Sequence, residues 1–287
     1  MPDSNHLHLY KAGDPQGPAV LFLHGSPLSG RMWLPNFDSL RDFHCLAPDL
    51  PGHGLSRDTV GWPMDRLADH LAEIIRDHAT NKRAHIVGLS YGGVVAQALI
   101  SRHPEVVDKA ILSGTSAPLS RLMKSVFKLY VGLNRPLVKL LPASALGWLL
   151  SLQFGIPKPH LADLAEDMKQ MDADVMMETL LSSYLDIRAP IHTDKEILVI
   201  AGGKETPFAK SMARQLTRII PGARGMIIPG VGHVWNLQDP QLFAQVLRWW
   251  FGGKAIDGQF FPCRVSPRVW RAGACPHSNP TPDPTAD

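Results

Sequence analysis

Six short apolar runs recur along the chain: "AVLFLHG", "HCLAPDL", "AHIVGLS", "KAILSGT", "EILVIAGG" and "ARGMIIPG". Each is nearly continuous in aliphatic residues and bounded by Gly or Pro, which is how a strand buried on both faces reads. Between or after them come "MDRLADHLAEIIRDHA", "VVAQALISRHP", "AKSMARQLTRII" and "PQLFAQVLRWWF", with apolar residues near helical spacing. Buried strands alternating with one-sided helices leave few architectures open. They predict an α/β fold, a mostly parallel sheet covered by helices on both faces. The opening "HLHLYKAGD" alternates and then meets a turn signal, so it predicts an antiparallel edge strand.

The rhythm breaks once. Residues 116–191 contain no strand-like run, only helical segments punctuated by Pro136, Pro142, Pro157, Pro159 and Pro190. They predict an all-helical cap inserted between the fifth and sixth main strands, with 1–115 and 192–252 forming the core. "LYVGLNRPLVKLLPASALGWLLSLQFG" is apolar, yet Arg135, Pro136, Lys139 and Pro142 interrupt it before it could span a bilayer. The apolar stripes at 119–133 and 146–154 read first as packing faces. Arg121, Lys124 and Lys128 beside them leave contact with a membrane surface as the lesser reading. Past Gly252 the chain becomes Pro-rich and polar, so 253–287 is expected to be a disordered tail.

Composition narrows the function classes. The chain has 287 residues, 45% hydrophobic and 19% charged, enough apolar material for one sizeable core. A net charge of +3, with no Lys/Arg cluster among aromatics, argues against nucleic acid as a partner. Cys45, Cys263 and Cys275 are odd in number and lack metal-ligand spacing, so neither a disulfide framework nor a metal site is expected. The first residues lack the basic and apolar regions of a signal peptide, which predicts a cytoplasmic protein.

One joint between strand and helix carries chemistry. In "GLSYGG", Ser90 lies two residues after Gly88 and two before Gly92. A serine hydroxyl is a weak nucleophile until a base takes its proton and donors receive the oxyanion. A sharp strand-to-helix turn exposes its oxygen and aims a helix N-terminus at the developing charge, provided the neighbours are small. An N-cap serine beside a Gly-rich turn fits the same pentapeptide. A phosphate loop does not, because no Gly-Lys-Ser/Thr follows. Oxyanion amides in such an architecture come from the residue after the nucleophile, here Tyr91, and from an earlier loop. Ser26, just past Gly25 in "FLHGSPLSGRMW", is the candidate for the second. His24 and His53 read as loop-ordering histidines held by hydrogen bonds. His233 differs: in "IIPGVGHVWNLQDP" it follows the last strand, at the carboxyl edge where Ser90 is presented. The acid should follow the preceding strand, and Glu205 in "EILVIAGGKETPF" does so. The other possible position, after "KAILSGT", reads Ser-Ala-Pro and has no carboxylate.

Taken in order, "HGSPLSGRMW", "DLPGHGLS", "GLSYGG" and "GVGHVWNLQDP" resemble the α/β-hydrolase superfamily. The similarity is to its esterase, haloperoxidase-like and carbon–carbon hydrolase branch with a helical cap, over about residues 7–251. That resemblance implies an eight-stranded sheet, a catalytic triad of Ser90, Glu205 and His233, and no metal or organic cofactor. One departure is visible: the branch most often carries Asp in a Gly-x-x-Asp pattern, whereas Gly202-Gly203-Lys204-Glu205 ends in Glu, one methylene longer. Ser90, rather than an Asp nucleophile, implies acyl transfer to water through an acyl-enzyme, or hydrolysis of a ketone carbon–carbon bond. The expected substrate is a small or medium hydrophobic ester, with Trp33 and Trp235 as candidate pocket walls. The alternative is a ligand-binding receptor, or slow hydrolase, on the same fold.

Overall fold

Each apolar run forms a strand where its pattern places one. In the computed structural model, which describes residues 6–185, 187, 193–252 and 268–271, these are β1 (Leu9–Gly13), β2 (Ala19–Leu23), β3 (His44–Pro48), β4 (Ala84–Leu89), β5 (Val107–Ser113), β6 (Glu196–Gly202) and β7 (Arg224–Ile228). A short eighth strand, β8 (Arg268–Arg271), completes a sheet in the order β1-β3-β2-β4-β5-β6-β7-β8. The edge strands β1 and β8 run antiparallel to β3 and β7, and the six strands between them are parallel.

The helices are α1 (Leu34–Phe37), α2 (Met64–His78), α3 (Tyr91–Arg102), α4 (Arg121–Leu140), α5 (Ala143–Phe154), α6 (Leu161–Gln170), α7 (Ala173–Leu185), α8 (Pro207–Ile219), α9 (Trp235–Gln238) and α10 (Pro240–Phe251). Strand residues alternate between two cores, as the period of two requires. Leu21, Leu23, Ile86 and Leu112 pack with Leu71 of α2, Leu99 of α3 and Leu216 of α8 on one face. Val20, Phe22, Val87 and Ile111 pack with Trp33, Phe37 of α1 and Phe243 and Leu247 of α10 on the other.

β8 comes from the segment expected to be a disordered tail and corrects that expectation for these four residues. Pairing with β7 satisfies backbone groups on what would otherwise be an open sheet edge. The rest of that tail lies outside the described residues.

Helices α4 to α7 all fall between β5 and β6, where the strand pattern lapses. Their contacts place them over the carboxyl edge of the sheet. Phe154 at the end of α5 stacks on His233, and Asp167 of α6 accepts hydrogen bonds from Ser29 in the loop after β2. Val175 of α7 lies so close to Gly52 that a Cβ there would sit 2.3 Å from its Cγ1. Among the described residues no helix is long and apolar enough to cross a membrane.

Candidate active site

Ser90 lies between β4 and α3, at the helix N-cap position, with φ 55° and ψ −117°, a left-sided backbone that a non-glycine residue adopts only under constraint. Two features impose it. The Ser90 N–H donates to Ser113 O of the neighbouring strand at 2.9 Å, and α3 begins at once, Gly93 N–H donating back to Ser90 O at 3.0 Å. The turn is tight enough that a Cβ on Gly88 would meet Gly92 O at 2.5 Å and Gly93 Cα at 2.7 Å. Hence the small residues two before and two after the serine.

His233 follows β7 in the loop before α9. Its Nδ1 lies 3.2 Å from Glu205 Oε1, a geometry that suits an Nδ1–H donating to the carboxylate. Glu205 is held from its own side: its N–H donates to Gly202 O, and Lys204 N–H donates to Val231 O at 2.8 Å in the histidine loop. The carboxylate is buried, and its Oε2 has no partner among the described residues. The extra methylene of glutamate is thus accommodated, and Glu205 reaches the imidazole. Its charge, after burial, helps push the Tyr184 phenol above its ordinary pKa.

Ser90, His233 and Ser26 line one cleft, walled by Leu28, Leu150 and Phe154. The Ser26 amide has no hydrogen-bond partner among the described residues, and Gly25 beside it approaches Ser90 so closely that a Cβ would lie 3.2 Å from the serine Cβ. Tyr91, the first residue of α3, puts its amide at the helix N-terminus beside Ser90. The Ser90 hydroxyl makes no hydrogen bond to His233 here. The structure therefore brings the Ser90 hydroxyl, the imidazole and the carboxylate to one sheet edge but leaves the first contact open. Such contacts commonly tighten only when substrate binds.

His24 and His53 order the loops, as expected. His24 Nε2 accepts the Leu50 N–H at 2.8 Å, and its Nδ1 lies 3.2 Å from Gly25 O. Burial, and the adjacent His53, hold it neutral, well below the usual imidazole range. Burial likewise pushes His53 down to about 4.

Trp33 and Trp235 require correction: neither lines the cleft. Both are only 1% exposed and pack against Phe243 in the core. Trp235 Nε1 donates to Ser113 Oγ at 2.9 Å. Proximity in sequence to site residues did not bring their side chains to the cleft, because both rings turn beneath the sheet edge to fill volume beside α10.

Three residues escaped the sequence reading. Gly114, with φ +55°, passes so close to the pair that a Cβ would stand 2.8 Å from the His233 ring and 3.1 Å from Glu205 Oε1. Phe154 stacks on His233 with centroids 4.9 Å apart. Gln238 Oε1 accepts the Gly232 N–H at 2.6 Å while its Nε2 donates to Gly155 O at 2.8 Å, tying the histidine loop to the end of α5. A glycine directly after a strand was a visible signal for the first. The others depend on residues 79 and 83 positions apart meeting in space.

Comparison with known proteins agrees with this fold. An AB hydrolase superfamily protein of Gibberella zeae is 26% identical over 249 residues, covering 84% of this chain and 82% of that protein. The pimeloyl-[acyl-carrier protein] methyl ester esterase of Nitrosomonas europaea is 28% identical over 261 residues, covering 83% and 96%. A solved hydrolase structure from Pseudomonas aeruginosa superposes with a TM-score of 0.72 at 22% identity, covering 88% of this chain and 97% of its own. The model of the alpha/beta hydrolase family matches residues 20–246, most of the chain and the whole of the site, so the chain belongs to that family and is a hydrolase.

Proposed function

We propose that this hydrolase cleaves a small or medium hydrophobic ester, with Ser90 as nucleophile, His233 as general base and acid, and Glu205 as the residue that orients the imidazole. The observation that carries the reading is the convergence of a serine on a strained turn and a histidine–carboxylate pair at one apolar cleft. Helices α4 to α7 serve as a cap that supplies Leu150, Phe154 and Leu164 to the cleft and leaves an alkyl or aryl group as the chemistry it accepts. The Nitrosomonas europaea relative is named for action on a methyl ester, which supports an ester over a carbon–carbon bond.

The steps follow from the placement. Ser90 Oγ attacks the ester carbonyl while its proton passes to His233 Nε2, and the carbonyl oxygen becomes an oxyanion received by the amides of Ser26 and Tyr91. The carbon–oxygen bond to the alcohol then breaks, and His233 returns the proton to the departing oxygen. Water, deprotonated by the same imidazole, releases the acid from Ser90. Glu205 stays ionised throughout and stabilises the imidazolium.

Labelling with a fluorophosphonate, followed by mass mapping of the modified peptide, tests the assignment. The adduct is expected on Ser90, and Ser90→Ala should lose both labelling and aryl-ester turnover while keeping its circular dichroism spectrum. An adduct elsewhere, with Ser90→Ala still active, overturns it.

A further inference from the structure

The apolar stripe of α4, which reads as a packing face in the sequence, is exposed. Leu122 is 72% exposed, Leu133 71% and Leu140 81%. With Val126, Leu129 and Leu137, also exposed, they fall within an arc of about 80° at 3.6 residues per turn. Val131, on the opposite side, is buried. The neighbouring α5 adds Trp148 and Leu152 as exposed residues. A soluble surface rarely carries so long an uninterrupted apolar row.

Charge identifies what covers it. From Arg121 to Phe154 the sequence has no acidic residue and five basic ones, Arg121, Lys124, Lys128, Arg135 and Lys139. Arg135 and Lys139 pair with Asp174 of α7, and Lys124 donates to Leu185 O. Arg121 and Lys128 are exposed and have no acidic partner among the described residues. A second copy docked on this face about a two-fold axis would set basic flanks against each other. The C-terminal residues 253–287, with four basic and three acidic side chains, carry no net negative charge to complement this face. Anionic lipid does, and an apolar stripe with a basic flank and an exposed tyrosine, Tyr130, at its border is the pattern of a helix lying in a membrane interface.

We propose that α4, with the exposed face of α5, docks this protein on anionic lipid bilayers, Leu122, Val126, Leu129, Leu133, Leu137 and Leu140 entering the interface and Arg121 and Lys128 facing the headgroups. Docking is separate from the hydrolytic reading, because binding is measured without turnover. The full chain is co-sedimented with vesicles of phosphatidylcholine alone, or of an equal mixture of phosphatidylcholine and phosphatidylglycerol, at low and high salt.

Binding to the mixed vesicles should exceed binding to the neutral ones by about tenfold or more and weaken with salt. Leu129→Asp with Leu133→Asp should abolish it. Arg121→Glu with Lys128→Glu should lower it about tenfold or more on mixed vesicles while leaving the weak neutral binding unchanged. All variants should keep wild-type turnover of a soluble aryl ester and an unchanged circular dichroism spectrum, since these side chains are exposed. Absence of vesicle binding overturns the proposal, as does equal binding to both vesicle types. A dimer in analytical ultracentrifugation that Leu129→Asp with Leu133→Asp dissociates, without vesicle binding, would assign the face to a second copy instead.

Discussion

Asp167 offers the sharpest test of how the helical segment is fastened to the sheet edge. Its carboxylate is only 4% exposed and accepts from both the N–H and the hydroxyl of Ser29, each at 3.0 Å. Burial is the dominant influence and raises its pKa from the ordinary 3.8 to about 7. The Ser29 hydroxyl and Arg31 oppose the rise, and Asp49 adds to it. Because the folded state holds the proton more tightly than the unfolded chain, stability is fully present below about pH 4 and is lost as pH rises toward 7. At 1.36 kcal/mol per pH unit, the part lost between pH 5 and pH 8 is about 2.7 kcal/mol, or roughly 5–10 °C in melting temperature. Asp167→Asn keeps an oxygen that can accept both Ser29 bonds but cannot ionise. Its stability relative to wild type, from urea denaturation followed by circular dichroism, should therefore be about 2.7 kcal/mol more favourable at pH 8 than at pH 5. The comparison isolates Asp167, because the buried neutral His24, His53 and His85 titrate in both proteins. An Asp167→Asn difference that is the same at both pH values would refute the reasoning.

Three further outcomes are expected. Glu205→Gln should fold normally but lower aryl-ester turnover by roughly 10²–10⁴-fold if Glu205 stabilises the imidazolium as proposed; retention of half the wild-type rate would refute that role. Gly114→Ala puts a methyl 2.8 Å from the His233 ring at a φ of +55°, so it should cost about 1–2 kcal/mol of stability from backbone conformation alone and slow turnover by about tenfold or more. Thermal melts and initial rates measure both, and an unchanged rate would show that the ring sits clear of residue 114. Cys45 is buried in β3, and burial pushes its thiol up to about 12, so iodoacetamide at pH 8 should modify it only as fast as the protein unfolds. Rapid native-state labelling, located by peptide mapping, would reveal local opening of β3.

Much of the architecture was legible because it rests on local pattern. A strand such as "AVLFLHG" must bury both faces wherever it lies, and "MDRLADHLAEIIRDHA" must bury one, so the element types and their order follow from the chain itself. The meeting of Ser90, Glu205 and His233 at one edge was legible for the same reason: each follows a strand, and the ends of parallel strands converge there. Direction and partnership were another matter. Trp33 and Trp235, beside the site in sequence, turn into the core because the space next to Phe243 lies there. The α4 stripe looked like a packing face, since periodicity reports that a helix is two-sided and never which side meets a neighbour. Arg268–Arg271 paired because β7 leaves an edge open, a vacancy created by strands elsewhere in the chain. Phe154 and Asp167 gained their roles only when the helical segment folded back over the sheet, bringing them to His233 and Ser29, and the same fold brought Gly155 to Gln238. Local sequence specifies what each segment must hide. Which segment hides it is settled by packing between residues far apart in the chain, and that information exists only in three dimensions.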